Sequence, residues 1–177
     1  MDAASAAAVT PERVWAWLGE VADPEIPVIS VVELGIVRAV ELSGGACVVT
    51  ITPTYSGCPA MAAIAAAVTQ ALRNHGMDQV TLVSRLAPAW TTDWISASGK
   101  AKLKGYGIAP PAQQAIDISG IVATAGVRRP SMPAPAVACP NCGSLHTEVT
   151  SQFGSTPCKA LYKCLDCREP FDYFKCH

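Results

Sequence analysis

The sequence has no excess of positive charge. Its 13 lysines and arginines are balanced by 14 aspartates and glutamates, so the formal net charge is −1. Residues 1–138 carry 9 basic and 10 acidic side chains, and residues 139–177 carry 4 of each. Nucleic-acid-binding domains need a clustered basic surface to meet the phosphate backbone. The balanced charge therefore argues against a nucleic-acid partner.

Long hydrophobic runs are also missing. A membrane-spanning helix needs about 18 or more consecutive apolar residues, and no stretch of the sequence reaches that length. The first eight residues carry an acidic Asp2 where a signal peptide has basic residues, and their alanine run is short and weakly apolar. We therefore expect a soluble cytoplasmic protein with no membrane partner.

Cysteine, by contrast, is frequent near the C-terminal end. Two CxxC motifs are separated by 21 residues, one more than the usual spacing but enough for two strands and a turn. Four thiolates at this spacing can close a tetrahedral site around one structural Zn²⁺ ion. The sequence predicts a zinc ribbon over residues 138–177, with these ligands: Cys139, Cys142, Cys164 and Cys167.

Other residues of this region leave alternatives open. Cys158 and Cys176 are either buried neighbours of the zinc site or extra ligands in a six-thiolate site. His146 and His177 lie close enough in sequence to replace a ligand, although four thiolates already satisfy tetrahedral zinc. Ordinary buried thiols or disulfides are the alternative to a metal, but disulfides require an oxidising compartment.

The rest of the chain predicts a small α+β domain over residues 10–109, an open mixed sheet with helices packed on it. Thr10 is the expected N-cap of a first helix, followed by a hairpin over about residues 36–52 and a second helix from Ala60 to about Gly76. A third strand is predicted over 80–86 and a last helix from Thr91 through Lys104. Residues 1–9 are expected to be disordered, and residues 110–137 to form a proline-rich linker in which 115–122 could add a short strand.

A single cysteine lies where the hairpin leads into the second helix. Cys58 is the predicted N-cap, with Pro59 at the first helical position. Unpaired N–H groups and the helix dipole favour an anion there, so we expect this thiol to ionise more readily than a free cysteine. The hydroxyl of Thr54 could hydrogen-bond the sulfur or a ligand. The alternative is a small buried cap without chemistry.

Several segments together resemble one protein family. Asp23-Pro24-Glu25-Ile26-Pro27 and residues 33–37, 54–61 and 86–95 resemble the iron–sulfur cluster assembly domain family. The tail, at residues 153–164 and 169–175, is similar to that of the D-component family of bacterial phenylacetyl-CoA epoxidase (ring 1,2-epoxidase) systems.

The resemblance implies a role as an accessory protein rather than an enzyme. It implies work in aerobic phenylacetate degradation beside an oxygenase with a di-iron centre and a reductase with an iron–sulfur cluster, one of which the protein would help to assemble. The family's reactive cysteine corresponds to Cys58, and its acidic loop to Asp23 and Glu25. With Thr54, these residues would transiently hold iron or an iron–sulfur cluster.

Rival functions stay open at this point. The chain could be a structural adaptor of the epoxidase in which Cys58 only caps a helix. A thiol enzyme is disfavoured because no base lies beside Cys58 in the sequence, and His75 is a full helix length away. Pairing of two copies through a sheet edge, giving a homodimer, is compatible with either function.

Overall fold

The structure is a computed structural model of the chain, and it describes residues 9–111 and 137–175. Contacts divide these residues into two compact units: 9–90 with 94–102, and 91–93 with 103–111 and 137–175. Most of the predicted linker, its possible short strand at 115–122, and residues Cys176 and His177 lie outside the described residues. In the described ranges, no helix is both long and apolar enough to cross a membrane.

The first unit is built on a three-stranded mixed sheet. Strands β1 (Val37–Ser43) and β2 (Ala46–Ile51) pair as an antiparallel hairpin, and β3 (Val80–Ser84) runs parallel to β2. A parallel neighbour requires a crossover, which helix α2 (Met61–Asn74) supplies. The strand order is β1-β2-β3. The predicted hairpin and open mixed sheet are therefore confirmed.

Two amphipathic helices supply much of this unit's core. Helix α1 (Pro11–Leu18) begins as predicted, because the Thr10 side chain accepts the N–H of Arg13 at 3.4 Å. The fully buried side chains of the two helices are Val14, Leu18, Ile64, Val68 and Leu72. Each such burial stabilises the fold by roughly 1.5–3 kcal/mol.

The predicted last helix is wrong in its first half. A 3₁₀ turn covers Thr92–Trp94, and helix α3 begins only at Ala97 and ends at Gly105. Ser96 explains the delayed start, since its hydroxyl accepts the N–H of Gly99 at 3.0 Å as an N-cap does. Its own N–H donates to the carbonyl of Glu33 at 2.9 Å. A contact distant in sequence thus sets the helix boundary.

The Glu33 carboxylate strengthens the same connection. It accepts hydrogen bonds from the N–H of Ser30 (3.0 Å), the hydroxyl of Ser98 (2.9 Å) and the ammonium of Lys102 (2.9 Å). Burial opposes ionisation here, but these donors together lower the pKa of Glu33 to about 2. The turn before β1 is therefore held to α3 by a permanently charged group at neutral pH.

The second unit is a four-stranded sheet in the order β4-β7-β6-β5. Its strands are β4 (Ile108–Ala109), β5 (Thr147–Ser151), β6 (Lys159–Cys164) and β7 (Pro170–Phe174). Strands β5 and β6 lie between the two CxxC motifs, as the spacing predicted. Strand β4 pairs with β7, so the two residues before the expected linker belong to the ribbon's sheet. The division between the units thus falls nearer residue 102 than the expected 109.

Gly35 allows the closest backbone approach in the first unit. Its φ is +75°, and a Cβ on it would lie 2.7 Å from both the Cβ and the carbonyl oxygen of Trp94. Such a distance is far inside van der Waals contact. Only glycine fits both the left-handed backbone and the packing of Trp94.

We predict that Gly35→Ala destabilises the first unit by about 2–5 kcal/mol, the sum of left-handed strain and overpacking. Gly44→Ala is the matched control, because Gly44 also has a positive φ (+56°) but has no atom within 4 Å of its Cβ position. It should cost only about 1–2 kcal/mol. Denaturant unfolding followed by tryptophan fluorescence checks this, since all four tryptophans lie in this unit. Equal losses in the two variants would contradict the packing argument.

Candidate metal centres

Four thiols converge in the second unit. The Sγ atoms of the predicted zinc ligands all lie within 4.8 Å of one another: Cys139, Cys142, Cys164 and Cys167. The two measured pairs are 3.7 Å (Cys139 to Cys167) and 3.5 Å (Cys142 to Cys164). The structure therefore brings both CxxC motifs to one point.

The spacing of these sulfurs fits a zinc ion. With Zn–S bonds of about 2.3 Å, the edges of a regular tetrahedron are about 3.8 Å long, close to the two Sγ distances above. Disulfides would require about 2.0 Å, so the four thiols are not oxidised in pairs. The ribbon residues thus fit a tetrahedral Zn²⁺ site with four thiolates, and the ion would fasten the two motifs together.

Backbone N–H groups support the thiolate form at this site. The N–H of Cys167 is the largest influence on Cys164, and with the N–H of Asp166 and the thiol of Cys142 it lowers the pKa of Cys164 to about 7. The N–H of Glu169 acts similarly on Cys167, yet burial and the neighbouring thiols raise the pKa of that group to about 12. Four thiolates repel one another, and a dication removes that repulsion.

The two knuckles share a backbone conformation that sequence reasoning missed. The residue after the second cysteine has a positive φ in both, 78° at Gly143 and 68° at Arg168. Glycine at 143 was a usable signal for this turn, whereas arginine at 168 was not, because it rarely adopts this conformation.

Other candidate ligands in the ribbon lie outside the cluster. Cys158 is buried, and its sulfur is 3.0 Å from the hydroxyl of Thr156. His146 pairs through Nδ1 with Asp166 at 3.1 Å. Within the described residues neither joins the four-thiol group, which favours the four-ligand reading over one with six.

Cys58 lies in the first unit, but not where the sequence predicted. Helix α2 begins at Met61 with Ala60 as its N-cap, so the predicted N-cap position of Cys58 is wrong. The N–H of Cys58 instead closes a turn onto the carbonyl of Tyr55 at 3.1 Å. Regular helical bonding starts only with the N–H of Ile64, which donates to Ala60 at 2.9 Å. The cysteine therefore lies in a turn before the helix.

The predicted ease of ionisation is also wrong. Burial of the half-buried thiol, together with the negative charges of Glu25 and Asp23, raises the pKa of Cys58 above its ordinary value. The N–H of Ala60 and the side chain of Thr54 hydrogen-bond the sulfur and only partly offset this effect. The helix dipole is outweighed because the acidic loop brings two carboxylates close to the sulfur.

The acidic loop is held rigidly in place. Asp23 is 5% exposed, and its Oδ1 accepts the N–H groups of Glu25 at 2.9 Å and Ile26 at 2.8 Å. Its N–H donates to the carbonyl of Ile29 at 2.9 Å, closing the loop. Thr54 is likewise buried. The four predicted residues thus form one neighbourhood of a thiol, a hydroxyl and two carboxylates.

This neighbourhood is looser than the ribbon site. Among residues 9–111 and 137–175, the four cysteines are the group whose ligand atoms converge as a metal site does, and Cys58 with Asp23 and Glu25 does not converge to that degree. A soft thiolate with hard carboxylate oxygens still suits ferrous iron. Such a set would bind a metal weakly unless further ligands came from elsewhere.

Comparisons with known proteins cover both units. Residues 11–84 match the family of the iron-sulfur cluster assembly protein, and residues 123–175 match the PaaD zinc beta ribbon domain. A relative from Escherichia coli (strain K12) carries the name "Putative 1,2-phenylacetyl-CoA epoxidase" and is the D component of that system. The chain is 46% identical to it over 164 residues, which are 93% of this chain and 92% of the relative.

Solved structures are similar over about half of the chain. The domain of unknown function DUF59 from Bacillus anthracis matches with a TM-score of 0.50 and 27% identity, covering 52% of this chain and 90% of that one. The conserved hypothetical protein TM0487 from Thermotoga maritima gives a TM-score of 0.47 and 28% identity, covering 54% and 94%.

Fold and sites together define an iron–sulfur-assembly type of α+β domain followed by a zinc ribbon. More narrowly, the chain belongs to the family of the D component of 1,2-phenylacetyl-CoA epoxidase. The family predicted from the sequence is confirmed.

We predict one zinc ion per chain, bound by the ribbon. Cys142→Ser should weaken zinc binding by more than about 100-fold, because loss of a ligand exceeds the 10- to 100-fold cost of losing an outer hydrogen bond. Cys158→Ser is the matched control, a ribbon cysteine outside the cluster. Competition with a chromophoric chelator measures both affinities. Full zinc affinity in Cys142→Ser would contradict the ligand set.

We also predict slow alkylation of Cys58 at pH 8 relative to a free cysteine, because its raised pKa leaves little thiolate. Glu25→Gln removes one negative charge, lowers the pKa and should speed alkylation about two- to tenfold. The rate at Cys58 is measured by peptide mass spectrometry of the zinc-loaded protein. Glu20→Gln, an exposed change in another loop, serves as the control. A rate unaffected by Glu25→Gln would refute the carboxylate effect.

Proposed function

We propose that the protein is a cytoplasmic accessory maturation factor for phenylacetyl-CoA epoxidase in aerobic phenylacetate degradation. It helps to assemble or insert the di-iron centre of the oxygenase component or the iron–sulfur centre of the reductase component. The name of the Escherichia coli relative and the iron–sulfur assembly match support this assignment. The observation that carries it is a half-buried thiol beside two carboxylates.

The raised pKa of Cys58 couples metal capture to proton release. Without metal, the thiol keeps its proton because a thiolate would face Asp23 and Glu25. When Fe²⁺ approaches, the sulfur gives its proton to water and forms an Fe–S bond, and the ion's charge offsets both carboxylates. Thr54 and the N–H of Ala60 orient the sulfur. Return of a proton to the sulfur then favours release to the client.

The incomplete ligand set fits a carrier better than a storage site. Iron that Cys58 and a carboxylate hold leaves positions open for ligands from the client, so transfer proceeds by ligand exchange. We assign the zinc ribbon to docking on the client, with the Zn²⁺ ion fixing its knuckles. No catalytic step is assigned to this chain.

A structural adaptor is the second candidate. The raised pKa favours it, because a thiol that stays protonated is chemically inert unless a metal displaces the proton. In that case the chain would stabilise the epoxidase assembly and carry no transient metal.

Replacing Cys58 separates the two functions. In cells whose only copy is Cys58→Ala, we expect the iron content of the epoxidase components and epoxidase turnover to fall about tenfold or more. Cys47→Ala is the matched control, since Cys47 is completely buried within β2 of the same unit. Iron and turnover are measured on the purified client complex. Full metal loading with Cys58→Ala would leave only the adaptor function.

A further inference from the structure

A basic cleft lies on the first unit, formed by β1, β2 and the segment after β3. Its volume is about 260 Å³. The polar and aromatic residues that line it are Arg38, Glu41, Thr50, Thr52, Arg85 and Trp94. Two guanidinium groups against one carboxylate give the lining a net positive charge.

The fold positions Arg38 by a β-bulge. The β1–β2 register shifts between Val37 and Ala39, so Arg38 is the extra residue in the hairpin. Bulges of this kind re-aim a side chain. The guanidinium carbon of Arg38 lies 3.4 Å from the centroid of the Trp94 ring, over its face. Stacking fixes the guanidinium through its flat face and leaves its N–H donors available at the edge.

Both arginines lack a charged partner inside the protein. Among the described residues, neither Arg38 nor Arg85 forms an ion pair with a carboxylate. Burial lowers the pKa of Arg38, which shows that this cation is partly desolvated. A desolvated cation interacts more strongly with an anion than one in bulk water does.

Thr52 adds a second and independent sign of a ligand. The residue is 3% exposed, and in the described part of the chain its hydroxyl has no hydrogen-bond partner. No fully enclosed side-chain oxygen of the described residues is left unsatisfied, so the small exposed area of Thr52 includes this hydroxyl, which opens into the cleft. Hydroxyls so deeply buried are nearly always hydrogen-bonded. An acceptor atom in the cleft would satisfy it.

We infer that this cleft binds an oxyanion, a carboxylate or phosphate group, with Arg38 and Arg85 as charge-assisted donors and Thr52 as a neutral donor. The volume corresponds to roughly eight or nine water molecules at about 30 Å³ each, so the anion has room for an attached organic stem. Ala87 and Pro88 supply an apolar wall for that stem. The inference is independent of the metal chemistry proposed for Cys58.

The test is an NMR titration of the full-length, zinc-loaded protein with sodium acetate and with inorganic phosphate. Sodium chloride at equal ionic strength provides the reference. We expect saturable shifts at the amides of Thr50 and Thr52 and at the indole N–H of Trp94. Arg38→Gln or Arg85→Gln should weaken binding about tenfold each, the loss of one charge-assisted bond. Thr52→Val should weaken it less.

Arg13→Gln is the matched control, because Arg13 also lies over a tryptophan, 5.6 Å from the Trp17 centroid, but outside the cleft. It should leave binding unchanged. Shifts no larger than those with chloride, or equal affinity in wild type and both glutamine variants, would overturn the inference. Arg85 is exposed, so its variant keeps the test valid even if the bulge variant folds poorly.

Two further probes distinguish the source of the anion. Tri-glutamate binding more tightly than acetate, and losing affinity in Arg38→Gln, supports the cleft with an acidic peptide as its ligand. A small acid such as glutarate binding as tightly as the peptide, with the same loss, supports it with a free organic anion. Peptide and glutarate binding that ignores both arginines contradicts the site.

Discussion

The repulsion between a thiolate at Cys58 and the carboxylates of Asp23 and Glu25 is the constraint from which the functional account follows. Burial and these two charges together keep the sulfur protonated. The same arrangement becomes favourable when a cation is present, because the ion neutralises three groups at once. A site of this kind is reactive towards metal and inert towards most other partners of a thiol.

The ribbon uses sulfur in the opposite way. Its four Sγ atoms converge within 4.8 Å, and backbone N–H groups stabilise the thiolates. A closed tetrahedron of this type holds zinc permanently and contributes to folding. The chain therefore separates a stable structural site from a site whose incomplete ligand set suits temporary binding. The rigid loop around Asp23 keeps the carboxylates beside the sulfur in the absence of metal.

Local patterns predicted much of this structure. The zinc ligands follow from spacing within two short turns, and the β1–β2 hairpin from a Ser-Gly-Gly turn between alternating strands. The errors came from contacts distant in sequence. The start of α3 depends on the Glu33 carbonyl, more than 60 residues before it. The ionisation of Cys58 depends on a loop more than 30 residues upstream, whose charges outweigh a local helix-dipole argument. The Arg38 cleft needed a bulge and a tryptophan from another segment, which periodicity does not reveal.

The most direct measurement is proton release during an anaerobic titration of the zinc-loaded protein with Fe²⁺ in weakly buffered solution near neutral pH. The account predicts one proton released per bound iron, together with a sulfur-to-iron charge-transfer band, and loss of both signals in Cys58→Ala. Iron binding without proton release, or the same release in Cys58→Ala, would contradict it.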